Sequence, residues 1–239
     1  MTTLRSSRFI AKLALVGLTS LAGLAGTATT AHAEGCSSEL NLIFAKPGVT
    51  TYGTGCADKI IGTSGNDTIY ALGGDDEVWS GTGADVVYGG TGNDDLYLGD
   101  GADQAMGESG DDFIMGGGAD DLVNGGTGAD VLRGDEGNDT LISFAGTGVD
   151  DGSDELYGGD GNDYLNGHEG VDWVEGQAGD DTLESHEATP AYDHLVGGQG
   201  KDKFAVKDAI EHDAAHRDDV DVDNFDIPVT NKNATDSFH

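Results

Sequence analysis

From Gly53 onward the chain repeats itself every nine residues, and so short a period leaves few folds open to it. Ten units run without a gap from Gly53 to Ile142. The sixth position is aspartate in every one: Asp58, Asp67, Asp76, Asp85, Asp94, Asp103, Asp112, Asp121, Asp130 and Asp139. The eighth is apolar in every one: Ile60, Ile69, Val78, Val87, Leu96, Ala105, Ile114, Val123, Leu132 and Leu141. After six extra residues, 143–148, four more units carry Asp154, Asp163, Asp172 and Asp181, with Leu156, Leu165, Val174 and Leu183 two places on. A second interruption, 185–187, precedes two last units with Asp193 and Leu195, then Asp202 and Phe204. Sixteen units therefore span residues 53–205.

Within a unit the fourth position is nearly always glycine, as at Gly65, Gly74, Gly83, Gly92, Gly101 and Gly110, which points to a backbone conformation that side chains disfavour. A tight turn is expected there, followed by a strand of about three residues whose middle side chain faces one way and whose neighbours face the other. One small apolar residue in nine cannot close a core, so consecutive units must coil and stack to share one. Two units per coil lay a parallel sheet on each side, with Ile69, Val87 and Ala105 on one inner face and Val78, Leu96 and Ile114 on the other. The expected fold is all-β, a parallel β-roll (β-solenoid) of nonapeptide repeats with short N- and C-terminal caps.

Charge then decides what such a stack requires. The chain holds 45 acidic residues against 11 Lys and Arg, a formal charge of −34 that repels nucleic acid and anionic membrane surfaces. Coils in a parallel stack lie ~4.8 Å apart, so aspartates eighteen residues apart, such as Asp76 and Asp94, crowd along each edge. Left uncompensated, that row of like charges would burst the stack. Calcium takes six to eight oxygens at about 2.3–2.6 Å and can join two coils through carboxylates and the free carbonyls of the glycine turns. Magnesium demands a smaller octahedron, and zinc wants His or Cys, which the repeats almost lack.

"GGTGNDDLY", "GGTGADVLR" and "GGDGNDYLN" follow the pattern GGxGxDxUx, and the chain resembles the RTX, or haemolysin-type calcium-binding, repeat family on all sixteen units. The resemblance implies a β-roll that is disordered without calcium and folded with it, in which the sixth-position aspartate and the carbonyls of the glycine turn hold the ion. Here that role falls on the sixteen aspartates named above. Ala119 and Ala191 replace the fourth glycine, Cys56 does so in the first unit, and Pro190 interrupts the turn before Asp193, so those edges depart from the pattern. In the ten-unit array each side offers four gaps between coils, room for up to about eight ions, with several more beyond the first insertion. Folding and binding are then expected to be one event.

Residues 1–33 read as a secretory signal: Arg5, Arg8 and Lys12, the apolar "LALVGLTSLAGLAG", then the small-residue site "AHA". A chain starting at Glu34 keeps 8 of the 11 basic residues against 45 acidic ones, a net of −37, has no further spanning segment, and is expected outside the cell. Members of the resembled family that leave by a dedicated one-step channel carry an uncleaved C-terminal signal instead. Cys36 and Cys56 suit one disulfide in an oxidising compartment. Residues 34–52 are expected to form an N-terminal cap and 206–239 an acidic C-terminal cap or tail, with "VKDAIEHDAAHRDD" as a short helix.

No Ser, Cys or His constellation supports catalysis, and no enzyme is expected. "HDAAH", from His212 to His216, has the wrong acid and no third ligand for a zinc protease. Tyr70, Trp79, Tyr88 and Tyr97 occupy the ninth position of four successive units and face outward. They support two readings: rings that cover one another and brace the sheet, or a platform for sugar rings in an adhesive, extracellular polysaccharide-binding module that uses the roll as its scaffold. Calcium ions are the partner that the residues themselves call for, and oligomeric state is not legible.

Overall fold

A unit that turns at two left-handed residues and extends between them returns the chain to the same side every eighteen residues. The computed structural model describes residues 36, 40–144, 152–185, 193–206, 219–221 and 237–238. Its strands alternate between two parallel sheets. One sheet has eleven strands, in the order Asn41–Phe44, Asp58–Thr63, Glu77–Thr82, Asp95–Asp100, Phe113–Gly118, Val131–Glu136, Glu155–Asp160, Trp173–Ala178, His194–Gln199, Asp219–Asp221 and Ser237–Phe238. The other has nine: Thr51–Tyr52, Thr68–Gly73, Val86–Thr91, Gln104–Ser109, Leu122–Thr127, Thr140–Ile142, Tyr164–Asn166, Thr182–Ser185 and Lys203–Val206. This is the β-solenoid that the period requires. Among the described residues there is no helix, and so none long and apolar enough to cross a membrane.

Register follows the repeat without slip. Ile60 pairs with Val78 and Val78 with Leu96 in one sheet, while Ile69 pairs with Val87 and Val87 with Ala105 in the other. Both interruptions leave the stack undisturbed, since Leu132 pairs with Leu156 and Val174 with Leu195. The eighth-position side chains form the interior as two facing columns, none more than 2% exposed from Ile60 to Phe204. Ala71 and Leu98, at the first position of their units, join them and thicken the early coils.

Most strands run six residues, longer than the three expected. A second left-handed residue explains the difference. Position two has positive φ, as at Gly81 (115°), Gly90 (116°) and Gly99 (101°), in addition to position four at Gly83 (130°), Gly92 (124°) and Gly101 (147°). Position two therefore pairs onward, as in Gly81 with Gly99, and the strand ends only at position three. Leu72, Glu108, Asp135, His168 and Gln177 take this conformation with a side chain, and Ala119 does so at position four with φ 78°, each at a cost of about 1–2 kcal/mol. Ala119 thus departs from the pattern in residue type while its turn keeps the common shape.

At the N-terminal end, the segment expected as a cap is an extra coil that lacks the glycine and aspartate motif. Asn41 sits in register with Asp58, Ile43 with Ile60, Thr51 with Ile69 and Tyr52 with Tyr70. The expected disulfide joins Cys36 to Cys56, with Cα atoms 5.4 Å apart. The signal segment, residues 207–218 of the expected helix with His212 to His216, Pro190 and Ala191 lie outside the described residues; the ends of that expected helix, Val206 and Asp219, belong to strands Lys203–Val206 and Asp219–Asp221.

Coil spacing rests on glycine at position four. Gly110 has φ 131°, and a Cβ there would press on the Gly92 carbonyl, 2.5 Å from its carbon. Gly110→Val is expected to lower the calcium-loaded melting temperature by more than about 10 °C, because backbone must move as well as twist. Thermal melts followed by circular dichroism check this.

Candidate metal centre

Coiling brings the sixteen aspartates together as two ladders. Asp58, Asp76, Asp94, Asp112, Asp130, Asp154, Asp172 and Asp193 line one edge, and Asp67, Asp85, Asp103, Asp121, Asp139, Asp163, Asp181 and Asp202 the other, all at most 3% exposed. One oxygen of each rung has an evident task. Oδ1 of Asp76 accepts the backbone N–H of Asp58 at 2.7 Å, and that of Asp94 accepts Asp76 N–H at 2.9 Å. On the other edge Asp85 Oδ1 accepts Asp67 N–H at 2.8 Å. Both insertions are bridged in the same way, from Asp130 N–H to Asp154 Oδ1 at 2.7 Å and from Asp172 N–H to Asp193 Oδ1 at 2.9 Å.

At many rungs the second oxygen meets no donor. Oδ2 of Asp76, Asp85, Asp94, Asp103, Asp112, Asp121, Asp130, Asp139, Asp163 and Asp181, and Oδ1 of Asp67, are buried without a hydrogen-bond partner. What this oxygen faces is visible at the first-position glycines. A Cβ added at Gly89 would lie 2.5 Å from Asp94 Oδ2 and 2.9 Å from the carbonyl oxygen of Gly107, one coil on. At Gly158 the same point lies 2.6 Å from Gly176 O, close beside Asp163 Oδ2. Each such unit therefore has a small cradle where a carboxylate oxygen and a main-chain oxygen converge. A missing side chain keeps it open.

Burial raises eight of these carboxyls above their ordinary value of 3.8. Asp76, Asp112 and Asp121 are pushed to about 8, Asp130 and Asp181 to about 7, and Asp94, Asp103 and Asp139 to about 6. The bond from the neighbouring backbone N–H opposes the rise, and for Asp76, Asp112 and Asp121 the charges on adjacent rungs add to it. A cation would relieve both the burial and the repulsion. Among the described residues no three His, Cys, Asp or Glu side chains gather at one point, so carbonyl oxygens must complete any coordination shell. Oxygen-only donors of this kind suit calcium.

The sequence profile of the RTX calcium-binding nonapeptide repeat matches the chain in four copies, over residues 52–87, 78–105, 106–141 and 149–183. The chain belongs to the RTX calcium-binding repeat family. No protein of curated function matches it. As an RTX roll it binds calcium, and its sheets continue past the matched segments through His194–Gln199 and Lys203–Val206. Calcium would supply positive charge at the aspartate ladders, and their carboxylates with the carbonyls that face them are the oxygens that would hold it.

The RTX roll also has a ladder that the sixth-position pattern does not announce. At the exposed fifth position Asn66 Oδ1 accepts the N–H of Ala84 at 3.1 Å, Asp111 Oδ1 that of Ala129 at 3.0 Å, and Asn162 Oδ1 that of Asp180 at 2.8 Å. These bonds run from side chain to the following coil, the reverse of the aspartate ladder. The recurrence of Asn or Asp at 66, 75, 93, 111, 120, 138, 162 and 180 is the signal that could have found it.

The outward aromatics stack on one another. Tyr70 lies 4.6 Å from Tyr88 with planes 2° apart, Tyr52 lies 5.3 Å from Tyr70, and Trp79 lies 4.2 Å from Tyr97. Ring faces within each column are thus covered by neighbours, and mainly edges meet solvent. This favours bracing of the sheet over a sugar platform.

In the RTX ladder the two oxygens can be tested separately. Asp112→Asn keeps an acceptor for Asp94 N–H, which donates to Asp112 Oδ1 at 2.8 Å, while losing the charge; Asp112→Ala loses both. Both variants are expected to bind one ion fewer, and Asp112→Ala to melt roughly 3–8 °C below Asp112→Asn. Calcium counting combined with thermal melts checks the order.

Proposed function

We propose that this is a secreted, non-enzymatic protein whose act is the cooperative uptake of several calcium ions between coils, which converts an acidic chain into a rigid roll. The observation that carries this reading is the pair of buried aspartate ladders, each rung engaged by backbone and several of them, Asp94, Asp112, Asp121, Asp130, Asp139, Asp163 and Asp181, offering a donorless oxygen to a glycine cradle. Cooperativity follows from the sharing of each gap by two coils, because an ion that fixes one coil prepares the cradle of the next. The polar, positively charged start of residues 1–33 supports export, where calcium is plentiful.

Calcium titration of residues 34–239, with bound ions counted by equilibrium dialysis, tests the reading. The expected result is several ions per chain, up to about eight within residues 53–142, taken up over a steep concentration range, and little response to magnesium. Binding of a single ion, or equal response to magnesium, would overturn it.

A further inference from the structure

At Asp58 and Asp154 the protein's own groups satisfy both carboxylate oxygens, and at Asp154 the donor stands in the cradle itself. Ser143 follows Ile142 directly and takes the place that a first-position glycine holds elsewhere. Its N–H donates to Asn166 O at 3.1 Å, and it is fully buried. Its hydroxyl reaches Asp154 Oδ2 and lies 2.6 Å from Gly167 O. These are the counterparts of Asp94 Oδ2 and Gly107 O, which converge without a donor around Gly89. Asp154 Oδ1 meanwhile accepts Asp130 N–H at 2.7 Å, so both oxygens of this carboxylate have donors.

The N-terminal rung repeats the solution with different residues. Asp58 Oδ1 accepts Asn41 Nδ2–H at 2.8 Å, and its Oδ2 accepts Thr54 N–H at 2.5 Å. Asn41 comes from the extra coil that lacks the repeat motif. Both satisfied rungs lie where the nine-residue pattern is broken, at the start of the array and at the six-residue insertion.

We propose that Ser143 is a built-in substitute for calcium at the Asp154 rung, and that Asn41 with Thr54 plays the same part at Asp58, so that ion-bearing runs of the roll are bounded by ion-free rungs. The physical reason lies in the turn. An ion needs carbonyls from a turn of fixed length, and Ser143 stands eleven residues before Asp154 where Gly89 stands five before Asp94. A hydroxyl needs only the two oxygens. The insertion can therefore be carried without a gap in the ladder, and Phe144, whose N–H donates to Asn124 Oδ1 at 3.2 Å, holds the chain just after Ser143.

This inference rests on the calcium reading, and two variants of the full chain separate their failures. Ser143→Gly restores the open cradle and is expected to bind one more calcium ion than wild type by equilibrium dialysis. Ser143→Ala keeps a Cβ in the cradle but loses the donor; it is expected to bind the wild-type number and, at saturating calcium, to melt roughly 5–10 °C lower. An unchanged ion count in Ser143→Gly, or a wild-type melting temperature in Ser143→Ala, would overturn the assignment while leaving calcium binding intact. A wild-type chain that binds no calcium would overturn both readings together.

Discussion

In chelator at pH 8, the chain is expected to lose its β signal in far-ultraviolet circular dichroism and to regain it on addition of millimolar calcium, with magnesium unable to substitute. Magnitudes decide this. Ten carboxylate Oδ2 atoms, from Asp76 to Asp181, are buried with no donor. An ionised carboxylate held out of water without a partner costs several kcal/mol. Folding stability of a whole domain is only about 5–15 kcal/mol, so even a few bare rungs exceed what the two apolar columns can offset. The interior cannot make up the deficit, because each unit contributes little more than one side chain to it. A chelated chain that kept its β signal and melting temperature would show that apolar contacts and backbone bonds suffice.

Acid should rescue the metal-free roll. The raised carboxyls of Asp76, Asp112 and Asp121, about 8, and of Asp130 and Asp181, about 7, stand above the 3.8 of an ordinary aspartate. A group whose folded value is raised contributes stability that is fully present below its unfolded value and lost as pH rises through the folded one. In chelator, β structure is therefore expected at about pH 3.5 and is lost progressively as pH rises from about 4 to about 8, over which the unfolded chain sheds protons that the folded ladder retains. With calcium present the dependence reverses, since protons and calcium compete for the same oxygens. Circular dichroism across pH, with and without calcium, should give two opposed profiles. A chelated chain equally unfolded at about pH 3.5 and at about pH 8 would mean that the ladder's charge is not what opposes folding.

Much of this architecture could be read before any coordinates. Eighteen residues per coil place Asp76 beneath Asp94 and Val78 beneath Leu96, and the assignment of Ile69 and Val78 to opposite inner faces follows from the same counting. The length of the strands did not, because the left-handed turn at position two is open to Leu72 and Glu108 as well as to glycine, and residue type there carries a weak signal. The stacking of Tyr70 on Tyr88 depends on how side chains lean along the sheet, which the period leaves open.

Sequence alone determined the period, the two aspartate ladders, the apolar columns and the demand for a divalent cation, because in a solenoid equal spacing along the chain becomes contact between coils. Tertiary structure alone decided which oxygens still lack a donor. Asp58, Asp112 and Asp154 occupy the same place in their units, yet Asn41 and Ser143 serve the first and last of them from a different coil and from the edge of an insertion. Hydrogen bonds are settled by distance and direction within a few tenths of an ångström, and no repeat pattern resolves positions that finely.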